Sequence, residues 1–191
     1  ILLRTNSGWD EELKAVLQEE GIPVYISSKT GYFAATEVQE LLQYLRVLDN
    51  PGQDIPLFGV MKSVFGGFTE EEIAGIRGEN KTCSLWEAVQ RSESEKCIAF
   101  QASIEKYRTY TIYMPIHELL QKILEDFSYL HYVTAMPGGS KRKANVEMLL
   151  TKAKAFESTS YYGLFHFVRY IEQLEKYDVD FGEAELIDEN A

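Results

Sequence analysis

A chain of 191 residues is the size of one domain with room for part of a second. At 45% hydrophobic and 26% charged residues it can bury a core without disulfides or metal. With 19 Lys+Arg against 30 Asp+Glu, the formal net charge of -11 excludes binding of nucleic acid by overall positive charge and leaves room only for a local basic patch. The two cysteines, Cys83 and Cys97, are too few for a disulfide scaffold, and no apolar run approaches the roughly 18 residues of a membrane span, so a soluble, cytoplasmic domain is expected.

The chain opens on Ile1-Leu2-Leu3-Arg4 and stops shortly after Leu186-Ile187, and both ends read as cuts in a longer protein. Residues 1–3 predict a short strand closed by Thr5-Asn6-Ser7-Gly8. Trp9, Leu13, Val16 and Leu17 predict a helix stopped at Gly21, and Ile22–Ile26 predicts a second strand. This opening suits a small α/β piece. A helix from Thr36 carries Val38, Leu41, Leu42, Leu45 and Leu48 on one face and ends at the breaker Asp49-Asn50-Pro51-Gly52, a candidate boundary. Beyond it nearly everything is helical, and the fold class expected is mainly α and bundle-like. A helix over 54–62 leads into Lys62–Thr69. Thr69 with Glu72, and Ser84 with Glu87, are capping boxes opening the next two helices. A long helix over about 94–112 turns Cys97, Ile104 and either Tyr107 or Thr111 inward. Pro115 opens a helix with the stripe Ile116, Leu119, Leu120, Ile123 and Leu124. After a short helix over Tyr129–Ala135, Ser140 is expected to cap a helix to about Ser158. A last helix over 161–176 carries Leu164, Val168, Ile171 and Leu174. Residues 178–189 form an acidic run with no basic residue, which reads as a solvated linker.

No phosphate loop, dinucleotide fingerprint, zinc-protease, nucleophile-elbow or EF-hand pattern occurs in the chain. Cys83 and Cys97 lack metal-ligand spacing. His117, His131 and His166 are single residues on predicted helices, without a catalytic partner at useful spacing. Glu11-Glu12 and Glu70-Glu71-Glu72 lie in first helical turns, where the helix dipole accounts for them. The chain therefore offers no catalytic residue and no metal or cofactor site.

Two stretches stand out. Between Gly138 and Lys154 lie Lys141, Arg142, Lys143, Lys152 and Lys154 against one acid, Glu147. Cations at a helix N-terminus oppose the macrodipole, so something anionic should offset them, either phosphate or acids elsewhere in the fold. The glycine-bearing turn Lys62-Ser63-Val64-Phe65-Gly66-Gly67-Phe68-Thr69 is either a plain helix–helix connection or a backbone cradle for phosphate.

The strings Ile1–Ser7, Gly21–Val24, Gly31-Tyr32-Phe33, Glu37-Val38 and Tyr44–Leu48 resemble the region around the accessory insertion of UvrD/PcrA/RecB-type superfamily-one helicases. Ala34-Ala35 stand where those proteins frequently carry an acidic–basic pair. The turn Met61–Thr69 is similar to their duplex-contacting turn without its Gly-Ile-Gly form. Tyr132–Gly139, Arg142–Leu149, Gly163–Glu172 and Asp180–Ala184 resemble the AddA (RexA) family of bacterial ATP-dependent helicase/nucleases.

The resemblance implies a motor-domain (2A) segment over 1–50, a helical 2B-like insertion over 51–177 and a return segment over 178–191. It further implies that ATP and Mg belong to other parts of a parent acting in double-strand-break resection, with the helicase/nuclease B-subunit as partner. Duplex phosphates would be met by Lys62, Ser63, Gly66, Gly67, Thr69, Lys141, Arg142 and Lys143. The alternative is an interaction module packed on the partner subunit or on sibling motor domains without DNA contact.

Overall fold

The computed structural model describes residues 16–17, 32–79, 82–158 and 162–176. The strands expected at 1–3 and 22–26 and the acidic run from 178 lie outside the described residues; of the helix expected before Gly21, Val16 and Leu17 are described and helical. Among the described residues the fold is helical, with no strand. A single 3-10 turn, Tyr32–Ala34, precedes α1 (Thr36–Asp49), α2 (Asp54–Lys62), α3 (Glu70–Glu79), α4 (Leu85–Arg91) and α5 (Glu95–Tyr110). After these come α6 (Ile116–Asp126), α7 (Tyr129–Thr134), α8 (Gly139–Glu157) and α9 (Leu164–Lys176).

Helix α1 is the hub. Its apolar residues extend beyond the expected face, because Tyr44 and Val47 are buried along with Val38, Leu41, Leu42, Leu45 and Leu48. A helix apolar on several sides needs neighbours on several sides, and α1 packs on α2, α5, α8 and α9. The Asp49–Gly52 breaker is a tight turn inside this body: the Asn50 amide donates to Arg46 O at 2.8 Å and the Gly52 amide to Asn50 Oδ1 at 3.0 Å.

An aromatic cluster fills the centre. Phe65, from the turn after α2, stacks on Tyr44 (centroids 4.6 Å apart) and on Tyr129 (5.2 Å), with Phe127 edge-on at 5.1 Å. On α5 the inward residues are Cys97, Phe100, Ile104 and Tyr107, so Tyr107 rather than Thr111 takes the last inward position. The α6 stripe is buried as expected. Pro115 is the residue before α6 and supplies no side-chain cap. The missing cap arrives from the far end of α8, where the Glu157 carboxylate accepts from the Ile116 amide and from His117.

Helix α8 begins two residues earlier than expected. Gly138, at φ 72°, is its N-cap, and Ser140 lies inside the first turn. The reason is steric: a Cβ on Gly139 would fall 2.0 Å from Thr134 O, so only two consecutive glycines let α8 start this close to α7.

Candidate nucleic-acid interface

The Lys62–Thr69 turn is built by its own hydrogen bonds. Ser63 Oγ donates to Val60 O at 2.8 Å and accepts from the Phe65 amide at 3.3 Å. The Phe68 amide donates to Met61 O at 2.8 Å, which draws the turn so tightly that a Cβ on Gly66 would sit 2.6 Å from Met61 Cα and O. Gly67 takes φ 64°, a conformation that favours glycine, and its carbonyl accepts from Lys96 Nζ at 2.8 Å. Thr69 and Glu72 form the reciprocal capping box: the Glu72 amide donates to Thr69 Oγ1 at 3.2 Å and the Thr69 amide to Glu72 Oε2 at 2.8 Å. Lys62 pairs with Glu70 and lies 5.7 Å from the Phe58 ring centroid. The side chains of Lys62, Ser63 and Thr69 and most of the turn's amides thus already have partners within the chain, and Lys96, which sequence spacing did not single out, supplies one of the contacts.

At the start of α8 the three consecutive cations have separate fates, because successive helical residues point about 100° apart. Arg142 turns inward: its Nη1 lies 2.6 Å from Glu37 Oε2 and its Nε donates to Pro137 O at 3.0 Å. Glu37 is only 3% exposed, and its other oxygen accepts from Asn145 Nδ2 at 2.7 Å. The anion that the basic helix start calls for is, for Arg142, an internal carboxylate on α1. Lys143 faces solvent and lies 3.7 Å from Glu147 one turn on, while Lys141 is half-buried.

Around Glu37 a buried polar network ties four elements together. The Tyr32 hydroxyl donates to Asn145 O at 2.9 Å, and the Tyr129 hydroxyl lies 3.0 Å from Glu37 O and 2.8 Å from Glu40 Oε2. Burial raises the Glu40 carboxyl above the usual carboxylate range against the hydrogen bond from Tyr129, and the neighbouring Glu37 adds to the rise. Burial likewise raises Tyr32 and Tyr129, and it lowers the Lys152 ammonium, which sits 5.4 Å from the Tyr32 ring centroid.

The far end of α1 repeats the device. Arg46 Nη2 lies 2.6 Å from Glu175 Oε2 on α9 and its Nε 3.9 Å from Glu172, while Gln39 Nε2 donates to Glu175 Oε1 at 2.8 Å. Strings far apart in the sequence therefore meet in space: Tyr32 and Glu37 with Arg142 and Asn145, and Arg46 with Glu172. Glu37 could have been suspected as the internal anion only from its place in an otherwise apolar helix face. No group of three or more metal-ligating side chains occurs among the described residues, and no described helix is long and apolar enough to cross a membrane.

Residues 1–188 match the UvrD-like helicase C-terminal domain. Similar curated proteins include the ATP-dependent helicase/nuclease A-subunit of Alkaliphilus oremlandii, 40% identical over 197 aligned residues covering all of this chain and 16% of that protein. The corresponding A-subunits of Clostridium beijerinckii and Acetivibrio thermocellus are each 39% identical, again over all of this chain and 16% of their own length. The chain thus spans about one sixth of the relatives it matches. Its match along nearly the whole sequence makes it a member of the UvrD-like helicase C-terminal domain family.

Proposed function

We propose that this chain is the non-catalytic helical accessory part of an AddA-type ATP-dependent helicase/nuclease, and that it meets the phosphates of duplex DNA at the start of α8. The observation that supports this is the first turn of α8, which has no acid and carries Lys141 and Lys143 on either side of an inward-locked Arg142. In this reading Arg142 is a positioning residue. It anchors the helix start to Glu37, so the flanking lysines project to either side of it from a fixed frame. The Lys62–Thr69 turn is the second contact, and phosphate there competes with Glu70 for Lys62. In this reading residues 51–177 are the 2B-like insertion and 178–191 lead back to the second motor domain; of the 1–50 segment assigned to that motor domain, α1 is packed into the helical body, so Asp49–Gly52 does not separate two packed units. ATP, Mg and nuclease chemistry belong to the rest of the parent protein, which works with its B-subunit partner in the bacterial cytoplasm on broken duplex ends.

Such contacts position without reading sequence. On a chain of net charge -11 they give weak binding in isolation, roughly 10⁻⁴ M, at the weak end of non-specific values. The test is fluorescence anisotropy of a labelled forked duplex across a salt series, comparing the chain with a Lys141→Ala/Lys143→Ala variant. The expected result is salt-sensitive binding whose log–log slope falls by about two units in the variant. Equal binding by both proteins would overturn the reading, and so would no binding at low salt. Arg142 stays intact in this test because its loss would disturb the fold.

A second reading is favoured by α2, where Ile55 is 84% exposed and Phe58 is 43% exposed one turn on, beside Lys62. An apolar helix face of this kind suits packing on a neighbouring protein surface. It takes the lead if duplex binding is absent.

A further inference from the structure

The turn between α5 and α6 gathers the aromatic rings at the end of α5 with one cation from each of the two helices. Lys106 on α5 and Lys122 on α6 approach the Tyr110 ring to 5.9 Å and 5.8 Å from its centroid, and Lys106 is also 5.1 Å from that of Tyr107. Both ammonium groups share one carboxylate, Asp126 Oδ2, at 3.3 Å and 3.5 Å, and that oxygen also accepts from the Tyr107 hydroxyl at 2.7 Å. Two cations on one anion leave this cluster one net positive charge in a chain of net charge -11. At the tip, Tyr113 contacts Tyr110 in a T-shaped arrangement at 6.0 Å, yet it is 66% exposed, and Ile112 beside it is 81% exposed.

Each feature has a bland explanation on its own, since single exposed apolar residues are common. Together they form a platform: an open aromatic ring on an apolar shelf, backed by two half-exposed ammonium groups whose shared counter-ion cannot neutralise both. A flat π-face takes another flat π-face, and surplus positive charge takes a polyanion. A single-stranded nucleic acid offers both, with unpaired bases to stack and phosphates to meet the lysines. A duplex offers only the phosphates, because its base faces are occupied by stacking within the helix. An acidic peptide offers the charge without bases to stack.

We propose that the α5–α6 tip binds single-stranded nucleic acid, with a base stacked on Tyr113 and the adjoining phosphates held by Lys106 and Lys122. This site is separate from the start of α8, and it stands or falls independently of the duplex contact proposed there.

The probe is a fluorescein-labelled 15-nucleotide oligo-dT, followed by anisotropy with the 191-residue chain at low salt and across a salt series. Tyr113→Ala should weaken oligo-dT binding about tenfold, the size of one lost base–aromatic stack, while Tyr113→Phe should bind like the parent. Lys106→Gln/Lys122→Gln should lower the log–log salt slope by about one unit. The Lys141→Ala/Lys143→Ala variant should keep the Tyr113 dependence whatever happens to its duplex binding. Thermal melts of each variant establish that the fold is retained. Three results would overturn the proposal: no oligo-dT binding at low salt, unchanged binding by Tyr113→Ala, or equal losses in Tyr113→Ala and Tyr113→Phe.

Discussion

The start of α8 and the α5–α6 tip are two places among the described residues where cations gather, and they gather in opposite ways. At α8 three cations are adjacent in the sequence and diverge in space: Arg142 goes to a buried carboxylate and Lys143 to solvent. At the tip, Lys106 and Lys122 come from different helices and converge on one ring and one carboxylate. Charge density along a helical sequence is therefore a poor guide to charge density on a surface, because the helix rotates neighbours apart and packing brings strangers together. The α8 cluster commits its central charge to stability, whereas the tip keeps its charges at the surface.

The sharpest way to break this comparison is Arg142→Ala. It leaves the Glu37 carboxylate, 3% exposed, without its guanidinium partner. Stranding a buried charge costs about 3 kcal/mol, so a drop in melting temperature of roughly 8 °C is expected. Lys143→Ala, one residue away, removes only a half-exposed i,i+4 pair and should stay within about 0.5 kcal/mol. Urea denaturation of both variants gives the ratio directly, and comparable losses would mean that the inward and outward roles are misassigned. Gly66→Ala comes next. The new Cβ would meet Met61 backbone atoms at 2.6 Å, and displacing the backbone next to stacked Phe65 should cost about 2 kcal/mol. A neutral Gly66→Ala would mean that the close approach to Met61 does not demand glycine there, leaving backbone contact with phosphate as its remaining role.

Much of the helical architecture was legible because it rests on local rules. The 3.6-residue periodicity located α1, α6 and α9, the Thr69–Glu72 spacing gave its capping box, and Ser84 does cap α4 through the Glu87 amide. What could not be read was every feature created by long-range contact. Glu157 capping α6 from 40 residues away has no local signature, nor has Asp54 accepting from the Leu85 amide at 2.9 Å. Ser140 looked like a helix cap because serine is a good one, but the cap is Gly138, whose positive φ suits glycine, and the close approach of α7 falls on Gly139 inside the first turn. The basic run was visible as composition, yet the direction of each side chain depended on where α1 placed Glu37. The tip escaped notice for the converse reason, since Lys106, Tyr110, Tyr113 and Lys122 form no run.

The smallest effects concern pH, where the two regions carry carboxylates shifted in opposite directions. At the tip, the Tyr107 hydroxyl, assisted by Lys106 and Lys122, holds Asp126 below the usual carboxylate range. A depressed folded-state value contributes stability that is present above the unfolded value and is lost as pH falls through the folded one. Near α8, burial holds Glu40 above the usual range. A raised value contributes stability that is present below the unfolded value and is lost as pH rises through the folded one. Asp126→Asn should therefore flatten the acid limb of a stability–pH profile, and Glu40→Gln should flatten the decline just above the ordinary carboxylate range. Chemical denaturation midpoints measured from about pH 3 to about pH 8 separate the two, because the windows lie on opposite sides of an unperturbed carboxyl. Asp126→Asn also tests the platform. Removing the shared counter-ion frees both lysines, so oligo-dT should bind the variant more tightly at low salt, with the gain fading as salt screens the added charge.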